Sequence, residues 1–294
     1  MIGSDLPAIR GGLGELMEDH DGFILDQWGV IHDGRRLYPD ALAALRLLNE
    51  RRKPVVILTN SSKTNAVNRD RLLHRFGVPS DLFTGLVSSA QVLRDRLVDR
   101  SRRPWSELGT RAFVVADGSD ALLIQGTRLV PVPKVEDADM VMLLSVAPSE
   151  GLPSHQAWLD AAASLKLPLV CPSADLHSVT DSDVVSGMGP IIARYFELGG
   201  RVLNVGKPEE DVYLECAQYF HGINADRILA VGDQLHSDIL GARRMGHRTA
   251  LVATGATKAA FPDARTLPEL AATIVLQSMD PSARPDFIMP ALQP

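Results

Sequence analysis

Residues 23–30 read FILDQWGV, a short apolar run that ends at Asp26. A run of this length before a turn is typical of a buried strand. An ionised carboxylate at the end of such a strand costs free energy to desolvate unless it is paired or bound to a cation. The alternative is an Asp that caps the following turn, and this segment alone does not separate the two interpretations.

A second segment, residues 228–238, shows the same pattern of an apolar run followed by a carboxylate. Its apolar run ends at Gly232, and Asp233 and Asp238 follow it. The alternative here is that Asp233 ends a turn while Asp238 caps the next helix. Carboxylates at two strand ends repel each other unless a hard cation such as Mg²⁺ lies between them. The pair of segments therefore favours a metal site.

Two further predicted strand ends carry polar groups. Thr59, Asn60 and Ser61 close an apolar run and offer hydroxyls, an amide and backbone N–H groups to an anion, although a plain helix N-cap has the same pattern. Lys207 follows the run 202–205, where a surface lysine is the commoner outcome. Because ligands bind at the carboxyl ends of strands in an open parallel sheet, we expect all four segments to meet at one edge. Lys207 would there neutralise a phosphate.

Short apolar runs alternate with amphipathic segments of helical length, which predicts parallel βα units and an α/β fold with a doubly wound sheet. The predicted strands are residues 23–26, 55–60, 112–116, 141–146, 167–171, 202–205, 228–232 and 249–253. The predicted helices include residues 40–50, 65–76, 155–165 and 209–220. The tail 279–294 carries four prolines and is predicted to be irregular or extended.

Composition and charge exclude several classes of function. The net charge of −6 argues against binding to nucleic acid or to an anionic membrane surface, since phosphate groups select basic faces. No run approaches the roughly 18 apolar residues of a membrane span, and the N-terminus lacks the apolar stretch of a signal peptide. Cys171 and Cys216 form neither a disulfide framework nor a metal-ligand spacing. We therefore expect a soluble, cytoplasmic protein.

In this order, the four segments resemble the four signature motifs of the haloacid dehalogenase (HAD) superfamily. The long insertion between the second and third motifs resembles the α/β cap of the class IIA branch, which includes p-nitrophenylphosphatase-like and sugar-phosphate phosphatases. The resemblance implies a Rossmann-like core formed by residues 1–85 and 183–294, with a cap domain formed by residues 86–182. Caps of this kind often pair, so a homodimer through the cap is a further expectation.

The resemblance also implies a mechanism for hydrolysis of a small phosphorylated substrate. Asp26 would attack phosphorus and form an aspartyl-phosphate that water then hydrolyses. The implied Mg²⁺ ligands are Asp26, the backbone carbonyl of Trp28 and Asp233, with Asp238 ligating through water or orienting the site. The implied phosphate-binding residues are Thr59, Asn60, Ser61 and Lys207, of which Lys207 would also neutralise Asp26.

Trp28 departs from the family pattern. Phosphatases of this superfamily usually carry a second Asp two residues after the nucleophile as general acid and base, a function typically worth about 10²–10⁴ in rate. An indole cannot replace it, so three interpretations stay open. In the first, His32, Asp33 or His236 serves instead. In the second, the substrate has a good leaving group, as in acyl or aryl phosphates. In the third, the chain binds phosphorylated ligands with little turnover.

Dehalogenases of the superfamily offer a further alternative, because they include members with an aromatic residue at the position of Trp28. A dehalogenase needs no metal, however, whereas this chain carries both Asp233 and Asp238, which would bind one.

Two segments of the insertion have a weaker resemblance to family features. Asp175, in CPSAD at residues 171–175, falls near the place where relatives carry an Asn-Pro-Asp turn that points at the substrate. It is therefore predicted to contact substrate, with an ordinary turn Asp as the alternative. The sequence GMGP at residues 187–190 resembles the glycine-containing return of the chain into the core.

Overall fold

Apolar runs rich in Val, Ile and Leu form the strands, as expected from residues that pack well on a pleated surface. In the described part of the chain the strands are β1 Ala8–Ile9, β2 Gly22–Asp26, β3 Val55–Thr59, β4 Gly85–Ser88, β5 Arg111–Val115, β6 Val130–Val132, β7 Met140–Leu143, β8 Pro168–Cys171, β9 His177–Val179, β10 Val184–Ser186, β11 Arg201–Asn204, β12 Ile228–Gly232, β13 Arg248–Val252 and β14 Phe287–Met289.

Helices follow most of the strands. The α-helices in the described part are α1 Ala41–Glu50, α2 Asn65–Asp70, α3 Ser89–Val98, α4 Leu152–Ser164, α5 Gly189–Glu197, α6 Glu210–Ala217, α7 Leu240–Arg244, α8 Gly255–Ala260 and α9 Leu267–Gln277. Two π-helical segments, Arg71–Arg75 and Leu235–Ile239, interrupt this pattern. The first continues α2, so the helix predicted at residues 65–76 changes its hydrogen-bond register midway.

The computed structural model describes residues 6–147, 149–175, 177–179, 184–277 and 280–294. It divides the chain into two units. The first, which we name the core unit, comprises Met1–Thr59, Arg69–Val87 and Lys207–Pro294. The second, which we name the inserted unit, comprises Asn60–Asn68 and Ser88–Gly206.

The core unit is built on a seven-stranded sheet in the order β1-β14-β13-β12-β2-β3-β4. β2 pairs in parallel with both β12 and β3, and Asp26 lies opposite Leu58. Every residue of these three strands is buried, as expected for parallel strands covered on both faces. The register brings Asp26, Thr59 and Asp233 to the same carboxyl edge of the sheet.

Amphipathic helices cover the core sheet. Ala41, Ala44, Leu45 and Leu48 recur at helical spacing along α1 and are completely buried in the main hydrophobic cluster. Burial of a leucine side chain contributes about 1.5–3 kcal/mol, so this one face stabilises the unit substantially.

The inserted unit has its own five-stranded parallel sheet, in the order β11-β8-β7-β5-β6, and an antiparallel pair, β9 with β10. Its hydrophobic cluster includes Leu159 of α4 together with Ile191 and Tyr195 of α5. The Tyr195 hydroxyl, which is buried, donates a hydrogen bond of 2.6 Å to the carbonyl of Leu167. Both units are thus parallel α/β layers, which confirms the predicted fold class.

The boundary between the units differs from the sequence-based prediction. Residues 184–206 belong to the inserted unit, because β11 pairs with β8 and α5 packs into that unit's cluster. GMGP therefore opens a helix of the inserted unit and does not return the chain to the core. The prediction that the strand before Lys207 shares a sheet with Asp26 is wrong for the same reason.

The C-terminal tail also differs from its prediction. Residues 287–289 form β14, which pairs in parallel with β13 and β1, and all three are buried. The short apolar run is therefore an inner strand, between β1 and β13, in spite of the nearby prolines. Among the described helices, none combines the length and apolar character that crossing a bilayer requires.

Candidate active site

The Lys207 ammonium joins two carboxylates of the core unit. Its Nζ donates hydrogen bonds of 2.6 Å each to Asp26 Oδ1 and Asp238 Oδ1. All three side chains are buried, so each charge depends on the others for the stabilisation that water would otherwise supply. Lys207 and Asp26 are 181 residues apart in the chain. The structure therefore brings three of the predicted site residues together.

Both carboxylate oxygens of Asp238 are hydrogen-bonded. Oδ1 accepts from Lys207, and Oδ2 accepts from the backbone N–H groups of Asp233 at 3.1 Å and Gln234 at 3.0 Å. A Cβ atom on Gly232 would clash with this carboxylate, which explains the glycine at the end of β12. Asp238 is thus held rigidly across the turn that carries Asp233.

Asp233 has one satisfied and one unsatisfied oxygen. Its Oδ2 accepts a 2.6 Å hydrogen bond from the backbone N–H of Ala256, whereas the buried Oδ1 has no hydrogen-bond partner among the described residues. A buried carboxylate oxygen without a partner is costly. Asp26, Asp233 and Asp238 each offer an oxygen, and these oxygens lie within 4.8 Å of one another. An all-oxygen donor set of this kind fits a hard divalent cation such as Mg²⁺.

Burial and mutual repulsion raise the pKa values of these carboxyl groups. Desolvation raises the pKa of Asp26 to about 7, opposed by the charge of Lys207 and reinforced by that of Asp238. Desolvation also raises the pKa of Asp233 well above its ordinary value, and the charges of Asp26 and Asp238 add to the effect. One ammonium does not offset three carboxylates, so the site favours binding of an additional cation.

Residues 254–257, which follow β13, form hydrogen bonds with the backbone on both sides of the site. Thr254 Oγ1 donates a 2.5 Å hydrogen bond to the carbonyl of Gly29, and Thr257 Oγ1 donates one of 2.7 Å to the carbonyl of Asp233. Gly29 and Gly255 have φ angles of +84° and +51°, and a Cβ atom on either would clash with the Asp233 carboxylate. Sequence reasoning missed this loop, although Gly255, two residues after a predicted strand, was an available signal.

The second predicted motif is divided between the units. Thr59 is buried at the end of β3, one residue beyond the residue that pairs with Asp26. Asn60 and Ser61 begin the first segment of the inserted unit. There the Asn60 amide contacts Asp175, and Ser61 Oγ accepts a 3.2 Å hydrogen bond from the backbone N–H of Lys63.

Trp28 lies two residues after Asp26. Its half-buried indole meets the His32 ring edge to face, with 4.6 Å between the ring centroids. The Arg71 guanidinium carbon lies 5.6 Å from the indole centroid, within the range of a cation–π contact. The position therefore presents an aromatic surface and no group that transfers protons.

His32 is a structural residue of the core unit. Its ring is completely buried and stacks on Phe76 at 4.1 Å between centroids. Nδ1 accepts a 3.1 Å hydrogen bond from the backbone N–H of Gly34, and Nε2 lies 3.0 Å from the Gln27 amide nitrogen. Desolvation lowers the pKa of His32 to about 3. A neutral ring with both nitrogens engaged speaks against His32 as the replacement acid.

Asp33 and His236, the other two candidates for the general acid, lie in different surroundings. Asp33 Oδ1 accepts hydrogen bonds of 2.8 Å from the backbone N–H groups of Arg35 and Arg36, which is the arrangement of a turn-forming Asp. His236 is exposed on the π-helical segment between Asp233 and Asp238.

Comparison with known proteins identifies the family. Residues 23–125 match the family model described as haloacid dehalogenase-like hydrolase, and residues 204–292 match a second HAD-hydrolase-like model. Chronophin from Rattus norvegicus is 30% identical over 258 residues, which cover 84% of this chain and 80% of chronophin. The chain belongs to the haloacid dehalogenase-like hydrolases. The resemblance inferred from the four motifs is thereby confirmed, and the protein is a HAD-type hydrolase.

Other HAD proteins are similar over most of the chain. Human glycerol-3-phosphate phosphatase is 27% identical over 264 residues, covering 82% of this chain and 81% of that protein. The crystal structure of a haloacid dehalogenase-like hydrolase from Brucella suis 1330 superposes with a TM-score of 0.78 at 23% identity and covers 97% of this chain and 100% of its own. The latter similarity establishes the HAD fold.

Proposed function

We propose that this HAD hydrolase is a Mg²⁺-dependent phosphatase that hydrolyses a small phosphorylated metabolite through an aspartyl-phosphate on Asp26. The observation that supports it best is the buried Lys207 ammonium between Asp26 and Asp238, beside an Asp233 oxygen without a partner. Similarity to a glycerol-3-phosphate phosphatase supports the same class of substrate.

Asp26 would act as the nucleophile. One of its oxygens accepts from Lys207, whose charge favours the ionised, nucleophilic form. The other oxygen would attack phosphorus in line, forming an Asp26 O–P bond as the ester P–O bond breaks and the alcohol oxygen departs with its electron pair. Water would then attack the phosphorus, break the O–P bond to Asp26 and release inorganic phosphate.

The residues present fit a bound magnesium ion, and we propose Asp26, the Trp28 carbonyl and Asp233 as its protein ligands. Asp238 would act by orientation, because Lys207 and two backbone N–H groups already occupy its oxygens. When bound, the ion would neutralise charge that develops on the phosphoryl oxygens.

Thr59 and the loop that follows it, residues 60–63, would bind the phosphoryl group. The Thr59 hydroxyl is buried at the sheet edge that carries Asp26, which supports this assignment. Lys207 would add a positive charge next to the nucleophile.

Trp28 restricts the choice of substrate. Neither the indole nor the enclosed His32 ring is able to protonate a departing alkoxide, and loss of this help costs about 10²–10⁴ in rate. We therefore propose that aryl or acyl phosphates, whose leaving groups need little protonation, react faster than alkyl phosphates. Trp28 is also the one observation that favours a dehalogenase or a phospho-ligand-binding protein with impaired turnover.

A phosphate-ester panel with and without Mg²⁺ tests the proposal. Asp26→Asn should abolish phosphate release, whereas Asp40→Asn, an exposed residue before α1, should leave it unchanged. An Asp26→Asn protein as active as wild type would refute the mechanism. Halide release that persists in excess EDTA would identify a dehalogenase, and calorimetric binding of phosphate esters without turnover would identify a binding protein.

A further inference from the structure

The Asn60 side chain is held by Asp175 within the inserted unit. Its Nδ2 donates to both carboxylate oxygens, at 3.1 Å to Oδ1 and 3.0 Å to Oδ2. The two residues are 115 positions apart in the sequence. A hydrogen bond to a charged acceptor is stronger than one between neutral groups, so this contact restrains the loop at its first residue.

The backbone of Asp175 is itself held by hydrogen bonds on both sides of its Cα. The backbone N–H of Asp175 donates to Ser173 Oγ at 3.1 Å, and its carbonyl accepts from the backbone N–H of Gly189 at 2.9 Å. On the other side of Asn60, a Cβ atom on Gly206 would lie 2.6 Å from Asn60 Oδ1 and would also clash with the Pro172 carbonyl. Asn60 therefore lies between the carboxylate of a residue whose backbone is fixed and the close-packed backbone at Gly206.

A second acidic residue restrains the other end of the same loop. The buried Asp120 accepts a 2.8 Å hydrogen bond from Ser62 Oγ through Oδ2, and its Oδ1 pairs with the Lys63 ammonium. Asn68 Nδ2 donates to the Lys63 carbonyl at 2.8 Å. Residues 60–63, which directly follow Thr59, are thus tied at both ends to residues of the inserted unit.

We infer that Asp175 is a positioning residue that acts through Asn60 to hold the proposed phosphate-binding loop in one conformation. This inference rests on the proposed function, because it takes loop 60–63 as the phosphate site. It differs from the sequence-based prediction that Asp175 contacts substrate. Because the Asn60 amide is already engaged by Asp175, Asn60 serves the same purpose.

The two assignments for Asp175 differ in what they predict for inorganic phosphate. A positioning residue affects every ligand of the loop equally, including phosphate without a leaving group. A residue that contacts the leaving group affects some substrates more than others and leaves the inhibition constant of phosphate unchanged. A substrate panel together with phosphate inhibition therefore separates them.

The experiment compares Asp175→Ala, Asn60→Ala and the double variant, with Asp160→Ala as the control. Asp160 is an exposed Asp of α4 whose side chain accepts from Gln156. We expect either single substitution to raise the phosphate inhibition constant about 10-fold and to lower kcat/KM by the same factor on every ester. The double variant should lose no more activity than the more impaired of the two single variants, because both single substitutions remove the same Asn60–Asp175 contact.

Asp175→Asn provides the conservative comparison. Its amide oxygen still accepts from Asn60, so it should recover part of the loss seen in Asp175→Ala. Effects of the two single substitutions that multiply in the double variant would overturn the inference. So would a loss confined to certain esters with an unchanged phosphate inhibition constant.

Amide hydrogen exchange of residues 60–63 supplies a test that does not depend on activity. Exchange in this loop should accelerate in Asp175→Ala and Asn60→Ala and stay at the wild-type rate in Asp160→Ala. Faster exchange in an enzyme without phosphatase activity would reject the proposed function and retain the structural part of the inference. Unchanged exchange would reject the inference itself.

Discussion

Lys207 Nζ lies 2.6 Å from Asp26 Oδ1, and the two residues are contributed by chain segments on either side of the whole inserted unit. The ammonium also binds Asp238 Oδ1, so a single cation connects two motifs that are far apart in sequence. Removing one partner of a buried ion pair leaves an uncompensated charge, which usually costs more than the pair contributes.

Substitution of Lys207 by methionine tests this relationship. We expect kcat to fall by about 10²–10³, the usual cost of losing one preorganised electrostatic group. In EDTA the free energy of unfolding should also fall by about 3 kcal/mol, measured by urea denaturation, since two carboxylates lose their counter-charge. Lys258→Met, at an exposed position of α8, is the control and should change neither quantity. Unchanged kcat and stability in Lys207→Met would contradict the central role of this cation.

Magnesium should stabilise the folded protein through Asp233. At a concentration 100 times the dissociation constant, a ligand that binds only the folded state adds about 2.7 kcal/mol. Asp233→Asn should lose most of this Mg²⁺-dependent rise in Tm, measured by calorimetry. Without Mg²⁺ the variant should be at least as stable as wild type, because the unpartnered charged oxygen is gone. An undiminished response to Mg²⁺ would place the ion elsewhere.

His32 should make stability depend on pH in a defined direction. Its folded pKa of about 3 lies below the ordinary 6.5, so the unfolded state binds the proton more readily. The stabilising contribution is complete above pH 6.5 and is lost at about 1.4 kcal/mol per pH unit as the pH falls from there toward 3. His32→Gln should lower the slope of the free energy of unfolding against pH by this amount relative to wild type, in urea-denaturation curves recorded in EDTA between pH 7 and pH 4.5.

The exposed His74, whose side chain is 71% accessible, provides the matched control for the pH experiment. His74→Gln should keep the wild-type slope. Parallel curves for His32→Gln and wild type would show that His32 is not buried in neutral form.

Gly29 combines a positive φ with close contact to Asp233, and the two effects are separable. Gly29→Ala should destabilise the protein by more than the roughly 1–3 kcal/mol of backbone strain alone, and it should weaken Mg²⁺ binding in calorimetry. Gly222→Ala provides the comparison, because Gly222 has a φ of +76° with no atom within 4 Å of its added Cβ. Equal effects of the two substitutions would rule out contact with the carboxylate as the cause.

Trp28→Asp should restore a proton donor at the family's usual position. We expect hydrolysis of alkyl phosphates to rise by about 10²–10⁴, with little gain on aryl phosphates, since only the alkoxide needs protonation. Trp28→Asn removes the indole without adding an acid and should show no such selective gain. Equal gains on both classes of ester, or none, would show that protonation does not limit the rate.

Part of the fold is readable from single segments of sequence. β2, β3 and β12 are predictable because parallel strands covered on both faces need continuous apolar runs. Asp26 and Asp233 stand out for the complementary reason, since charged groups at the ends of such runs require a partner or a cation.

Pairings between distant segments were not readable in the same way. The sequence predicts that the run 202–205 shares a sheet with Asp26, whereas β11 pairs with β8, because nothing in its own composition distinguishes one parallel partner from another. The run 287–289 was overlooked among prolines for a similar reason. Both assignments depend on which strands, far away in the sequence, each segment pairs with.

The amino-acid sequence alone determined the α/β class, the HAD family and the chemical types of residue placed at the strand ends, because these follow from local patterns of apolar and charged residues. Tertiary structure alone decided that Lys207 binds both Asp26 and Asp238, that one Asp233 oxygen has no partner among the described residues and that Asp175 contacts Asn60. Such contacts depend on distances between segments separated by up to 181 residues, which a local pattern does not encode.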